Sequence, residues 1–216
     1  MSSTGSNMFR SALLLGVVAV IGTSLLAGIH HLSADRIAAQ ERRVILEQLN
    51  QVLPPDEYDN ALHEDILDVV DPGVFGGDDP VRVYRARRNG EAVGVVLNVV
   101  APDGYNGDIR LLMAIRIDGE IAGVRVISHR ETPGLGDPIE IERSDWILGF
   151  NGRSIGSPSE SGWAVKRDGG IFDQFTGATI TPRAVVETVQ KTLAYFNANR
   201  EMLFESSDEE GHEPGS

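Results

Sequence analysis

The order of hydrophobic and polar positions divides the chain into distinct segments. Ser11 to Ile29 is an uncharged run of 19 residues dominated by Leu, Val, Ile, Ala and Gly. At a rise of about 1.5 Å per residue, a helix of that length just crosses a hydrocarbon core of about 30 Å. Beyond Ser33, which suits an N-cap, Ile37, Val44, Ile45, Leu49 and Val52 recur at helical spacing, and Pro54-Pro55 stops the pattern. This predicts a helix over Ala34 to Val52, continuing from the membrane segment as a stalk. Leu62 to Val70 reads as a short helix, followed by a Gly- and Asp-rich turn.

Strand signals come next. Val81 to Arg87 and Glu91 to Val100 flank Asn89-Gly90, and Ile109 to Ile117 and Ile121 to Ser128 flank Asp118-Gly119. Both dipeptides suit tight turns with positive φ, so the pattern predicts four antiparallel strands. Pro138 to Phe150 reads as a helix, and Trp163 to Lys166 as a strand ending in the turn Arg167 to Gly170. Pro182 to Ala198 reads as a helix, with Thr181 as N-cap, Pro182 at the first helical position and one apolar stripe of Val185, Val186, Val189, Leu193 and Phe196. The expected class is α+β: an antiparallel sheet with flanking helices, preceded by one transmembrane helix. The expected organisation is a segment 1–10, an anchor 11–33, a stalk 34–55, a folded domain 56–204 and an acidic, disordered tail 205–216.

Composition narrows the chemistry. The chain has 216 residues, enough for one core with attachments. It has no cysteine, which excludes disulfides, cysteine-ligated iron–sulfur clusters, thiolate zinc and Cys nucleophiles. Redox chemistry therefore requires an organic cofactor. Net charge is −13, and Arg10 is the one charged residue before Ala34, so the acidic excess lies entirely beyond the apolar run. Such a surface repels nucleic acid and anionic headgroups. The length of the first apolar run and the lack of a small-x-small cleavage site favour a retained anchor over a signal peptide. Arg10 on one flank and Arg36, Arg42 and Arg43 on the other leave its orientation open. His30 and His31 fall at the membrane boundary.

Two segments carry candidate chemistry. In Asp173-Gln174-Phe175-Thr176-Gly177-Ala178-Thr179-Ile180-Thr181, a turn of small residues runs into a helix N-terminus, where free N–H groups and the helix dipole favour an anion such as phosphate. Gly177 and Ala178 leave room for it, and Thr179 can present a hydroxyl. A Gly-Ala-Thr tripeptide alone arises by chance in roughly one protein in ten to twenty of this length. Adding Asp173 and a Ser/Thr at 176 makes it roughly one in a couple of thousand. Arg183 is the only base adjacent to this motif. The second segment, His129-Arg130-Glu131-Thr132-Pro133-Gly134-Leu135-Gly136, is a constrained loop that can hold fixed polar groups against a ring edge. His129 and Glu131 are equally compatible with a strand-end pair that serves the loop alone. No cluster of His and carboxylates completes a metal ligand set. Trp146, Phe150, Trp163, Phe172 and Phe175 lie near the motifs, and core packing is the better reading for most of them. Gly104-Tyr105-Asn106-Gly107 reads as a loop between strands, with no further role assigned to it.

The pattern Asp-x-x-Ser/Thr-Gly-Ala-Thr resembles that of flavinylated FMN-binding domains. With the single N-terminal anchor and the 104–107 and 129–136 segments, the chain is similar over nearly its whole length to the G subunits of Rnf/Rsx-type ion-translocating oxidoreductase complexes. The C subunit of the Na+-translocating NADH:quinone reductase shares the domain. Thr176 stands where Ser is frequent in the family. The resemblance implies FMN joined covalently through its phosphate to Thr179, transferred from FAD by a flavin transferase, with the 56–204 domain binding it. The cofactor-binding residues expected around it are Asp173, Thr176, Gly177, Ala178, Thr181, Glu131, Thr132, Gly134 and Leu135; Lys166, just before the Asp168-Gly169-Gly170 turn, is a candidate for the N1/C2 side of a reduced flavin, with a solvated surface lysine the better reading. The resemblance also implies a single-pass protein of the bacterial inner membrane with its flavin domain on the periplasmic side, relaying electrons between subunits. Neither a catalytic residue nor a metal ligand is expected. A covalent link removes cofactor loss by dissociation, and a phosphodiester carries less charge than free FMN, so one helix terminus suffices. The alternatives are a stand-alone anchored flavin reductase, for which no Gly-x-Gly-x-x-Gly element follows a strand, and a non-redox assembly or scaffolding protein with Thr179 unmodified.

Overall fold

A computed structural model describes residues 13, 15–25, 40, 42–75 and 77–205. Residues 15–25 and 42–50 are helical, within the predicted apolar and stalk segments. The remaining residues of 11–33, the first part of the stalk and nearly all of the tail lie outside the described residues. Among the described residues no helix is long and apolar enough to cross a membrane. The chain separates into Met1–Ile45 and Leu46–Ser216, and the second unit contains the whole sheet and both candidate motifs.

The centre of that unit is one antiparallel sheet in the order β1 (Ile66–Val69), β2 (Val81–Arg88), β3 (Glu91–Ala101), β4 (Ile109–Arg116) and β5 (Ile121–Ser128). Every neighbour in the sheet is a neighbour in sequence. The β2–β3 connection is the expected two-residue turn: Arg88 pairs with Glu91, and Asn89 and Gly90 have φ of 52° and 81°, the positive values a type I′ turn demands. At the β4–β5 connection only Gly119 has positive φ, and the Asp118 carboxylate instead accepts from the Glu120 N–H at 2.9 Å. That side chain stabilises a longer turn than the dipeptide predicts.

Alternation along the strands supplies two buried faces. Val83, Val95, Leu97, Leu111, Met113 and Ile115 belong to a core shared with the helix Ile180–Ala198. The predicted stripe of that helix, Val185 to Phe196, is at most 1% exposed at each of its five positions. The intervening positions Tyr84, Ala86, Val96, Leu112 and Ala114 are buried as well, as are Leu49, Val52, Leu53 and Leu62. Gly123 explains how closely that second layer approaches. A Cβ there would stand 2.7 Å from the Val52 carbonyl oxygen.

The structure corrects four expectations. The sheet has five strands, because Ile66–Val69 pairs with β2 where the sequence predicts a helix over Leu62 to Val70. Pro138 to Phe150 is not one helix but the 3-10 turns Asp137–Ile139 and Asp145–Phe150, the second restarted by the Ser144 hydroxyl, which accepts from the Trp146 N–H. Trp163 to Lys166 forms no strand; Val165 makes a single bridge to Phe172. The long helix starts at Ile180, so Thr179 holds the N-cap position and Thr181 lies inside the helix.

The aromatic residues pack together beside β5, with Phe150, Trp163 and Phe172 in the core and the partly buried Trp146 and Phe175 against it. Phe150 stacks on Phe172 at 4.6 Å, and Trp146 meets Phe175 edge-on at 5.2 Å. Trp146 also donates its indole N–H to the Asp173 carbonyl at 2.8 Å. This holds the chain in place at the start of the Asp173–Thr181 motif.

Near the C-terminal helix Arg200–Phe204, Arg85 and Arg87 on β2 share the Asp65 carboxylate, at 2.5 and 2.8 Å. The same guanidinium groups donate to the carbonyls of Glu205 and Phe204. The helix is thereby tied at its carbonyl end to the sheet, where positive charge also complements the helix dipole.

Candidate functional site

Three tight turns meet at one end of the sheet, each dictated by its own residues. Thr132 to Leu135 is a turn with Pro133 and Gly134 at its corners: the Thr132 carbonyl accepts from Leu135 N–H at 3.1 Å, and Gly134 has φ 78°. Proline before a positive-φ glycine is the signature of a type II turn. Phe175 to Ala178 repeats the arrangement, the Phe175 carbonyl accepting from Ala178 N–H at 3.1 Å with Gly177 at φ 82°. The third turn is Gly104 to Gly107.

Glu131 joins them. Its side chain is buried, at 4% exposure. One carboxylate oxygen accepts from the Asn106 N–H at 2.9 Å, and the other accepts a short hydrogen bond from the Thr181 hydroxyl. The Glu131 N–H donates to His129 Nδ1 at 3.0 Å, and His129 Nε2 contacts Glu140 at 2.8 Å. Both residues of this pair therefore serve the loop, and Glu131 reaches the cavity in addition. Space around its carboxyl is minimal. A Cβ on Gly136 would fall 2.8 Å from Glu131 Cβ, and one on Gly104 would fall 2.2 Å from the Gly107 carbonyl oxygen. Gly104→Ala should therefore destabilise the domain by about 2 kcal/mol, the usual cost of forcing an added methyl against fixed atoms. A thermal melt of that variant unchanged from wild type would refute this packing.

The turns enclose a cavity of about 350 Å³ lined by Tyr105, Glu131, Thr132, Leu135, Gly136, Gly177, Ala178, Thr179, Ile180 and Thr181. Seven of these are expected from sequence, drawn from both motifs. Tyr105, Gly136 and Ile180 are additions. Tyr105, Leu135 and Ile180 form an apolar rim, exposed by 65%, 44% and 44%, of the kind that accepts a flat aromatic ligand. Thr179 is half-buried, and its hydroxyl makes no capping bond. Thr179 immediately precedes the first helical amides, which have no intrahelical acceptor.

The other expected residues lie outside the lining. Gly134 and Thr176 are turn corners. Lys166 and Asp173 are exposed and pair with each other at 2.6 Å. Arg183, the base beside the motif, is held by Asp168 in a two-pronged pair at 2.8 and 3.0 Å. That hydrogen-bonded pair lowers the Asp168 carboxyl below its usual range and raises the guanidinium. Among the lining residues Glu131 is therefore the one acidic or basic side chain, tyrosine apart.

Residues 104–194, which include all three turns and the cavity, match the family model described as the FMN-binding domain. Residues 1–52 match the RnfG N-terminal region. The G subunit of the ion-translocating oxidoreductase complex of Pseudomonas aeruginosa PAO1 is 47% identical over 98% of this chain and 99% of its own length. The chain belongs to the RnfG family. The corresponding protein of Shewanella loihica is 48% identical over 91% of this chain and 93% of its own, and that of Vibrio cholerae O395 is 43% identical over 90% and 92%. The N-terminal match ends before the sheet begins, and the FMN-binding match runs from the Gly104 turn into the last turns of the long helix.

Proposed function

We propose that this RnfG-family protein is a membrane-anchored flavoprotein that relays electrons through one FMN within an ion-translocating oxidoreductase complex, with the FMN esterified to Thr179. The observation that carries the reading is that Thr179, whose hydroxyl makes no capping bond, lines the cavity bounded by the 131–136 loop. The cavity is then the flavin site. Its apolar rim suits the isoalloxazine faces, and the first turn of the Ile180 helix suits the phosphate. In the attachment step the Thr179 Oγ–phosphorus bond forms as the pyrophosphate P–O bond of FAD breaks. AMP leaves with the bridging oxygen, and the hydroxyl proton is released. A flavin transferase catalyses the step.

Bound FMN supplies reversible electron storage. The chain supplies position. Gly177 and Gly134 fix the two turns, Leu135 and Ile180 would offer apolar surface to the ring, and Tyr105 borders the opening. The shallow, partly open rim suits transfer between proteins, where edge approach matters more than enclosure of a substrate.

The apolar run 11–29 serves as a single anchor, with Met1 to Arg10 in the cytoplasm and the domain from Ala34 onward in the periplasm. The other subunits of the complex are its partners. Mass spectrometry of the membrane-derived protein should find one FMN phosphate adduct on the peptide that contains Thr179. Detection of the unmodified peptide alone would overturn the attachment. Reporter fusions after Val52 should be active only with periplasmic reporters, and activity restricted to cytoplasmic reporters would overturn the orientation.

A further inference from the structure

We infer that Glu131 is a positioning residue which locks the attachment turn to the ring pocket and also sets the reduction potential of the ring. This rests on the cavity being the flavin site. In sequence the 129–136 loop and the Thr179 turn are separable devices, one for the ring and one for the phosphate. In the folded chain they are bonded through a single buried carboxylate. One of its oxygens fixes Asn106, the other fixes Thr181, and Thr181 stands two residues beyond Thr179. Thr181 is fully buried, so no water replaces this bond if it is lost. The start of the helix, and with it the place of the Thr179 hydroxyl, is therefore set by Glu131.

The same carboxylate carries charge into the lining. One oxygen accepts from the Asn106 N–H and the other from the Thr181 hydroxyl, so the carboxylate is held in place at the cavity wall. No Lys or Arg lines the cavity: Lys166 is taken up by Asp173 and Arg183 by Asp168. Reduction places additional negative charge on a flavin ring, and a fixed negative charge in a low-dielectric wall opposes it. Glu131 thus holds the potential down, and nothing cationic in the lining offsets it.

Three variants of the full chain, purified from membranes after co-expression with the flavin transferase, separate the two roles. Glu131→Gln keeps an acceptor for Asn106 and a polar partner for Thr181 but removes the charge. It should incorporate flavin faster than Thr181→Val does, and its loaded fraction should show a midpoint potential shifted to more positive values. Thr181→Val keeps the charge and cuts the lock, so incorporation should slow by roughly tenfold or more, as expected when a reacting group is misplaced, while the potential of the loaded fraction does not rise. Glu131→Ala should show both defects. An unshifted potential in Glu131→Gln overturns the electrostatic role, and a wild-type incorporation rate in both Thr181→Val and Glu131→Ala overturns the lock. Covalent flavin persisting in Thr179→Ala would instead refute the attachment reading, independently of either Glu131 result.

Discussion

Replacement of Thr179 by Ala should yield a folded protein with no covalent flavin at all. The hydroxyl is the nucleophile for the proposed ester, and neither neighbouring threonine can take its place without moving the backbone. Thr176 is a turn corner outside the cavity lining, and the Thr181 hydroxyl is committed to Glu131. The cost to folding should be small, about 1 kcal/mol or less, because the Thr179 side chain caps nothing and is only half-buried. The measurement is in-gel flavin fluorescence after denaturation, paired with circular dichroism of the same sample. A fluorescent band of wild-type intensity would exclude Thr179 as the site. Loss of the band together with loss of secondary structure would mean that the residue matters for folding instead.

The largest stability effect should come from Asp65→Ala, on a part of the fold that does not line the cavity. Asp65 is the shared acceptor for Arg85 and Arg87, and the Arg85 side chain is only 6% exposed. Removing the carboxylate takes away the negative charge that these two guanidinium groups share, while the bond from Arg85 to the Glu205 carbonyl remains. Breaking a buried pair from one side costs about 3–5 kcal/mol. Asp65 is itself 21% exposed, which admits some water and argues for the lower end. For a chain of this size that is a melting temperature lower by roughly 6–12 °C. Asp65→Asn keeps the shape and one acceptor oxygen and should lose less. If Asp65→Ala melted like wild type, the network would add nothing to stability and the C-terminal helix would owe its place to apolar contacts alone.

Legibility in the sequence follows local chemistry. Asn89-Gly90 announces its turn because both residues tolerate positive φ, and the Val185 to Phe196 stripe announces its buried face by period alone. The short strand Ile66–Val69 escapes such reading because its residues also fit helical spacing; pairing with β2 decides the matter, and that partner lies beyond an intervening turn. Pro138 to Phe150 carries a helical composition, yet Ser144 and the aromatic packing split it into two tighter turns. The candidate site divides along the same line. Both motifs are visible, and so is Thr179. Thr181 looks like a local cap because its partner in the fold, Glu131, stands 50 positions earlier. Tyr105 gives no signal of its own; it lines the cavity next to Asn106, whose amide is held by that same carboxylate.

The sequential strand order has a consequence for how the protein is made. A meander closes each pair of strands through a nearby turn, so the sheet can assemble from the chain up to Ser128 while later residues are still being synthesised. The packed arrangement around Thr179 cannot. It exists only once the Ile180 helix has docked and Thr181 has reached back to Glu131. A transferase that recognises the finished turn would therefore act last, and the presence of covalent flavin would itself report that a given molecule had completed folding.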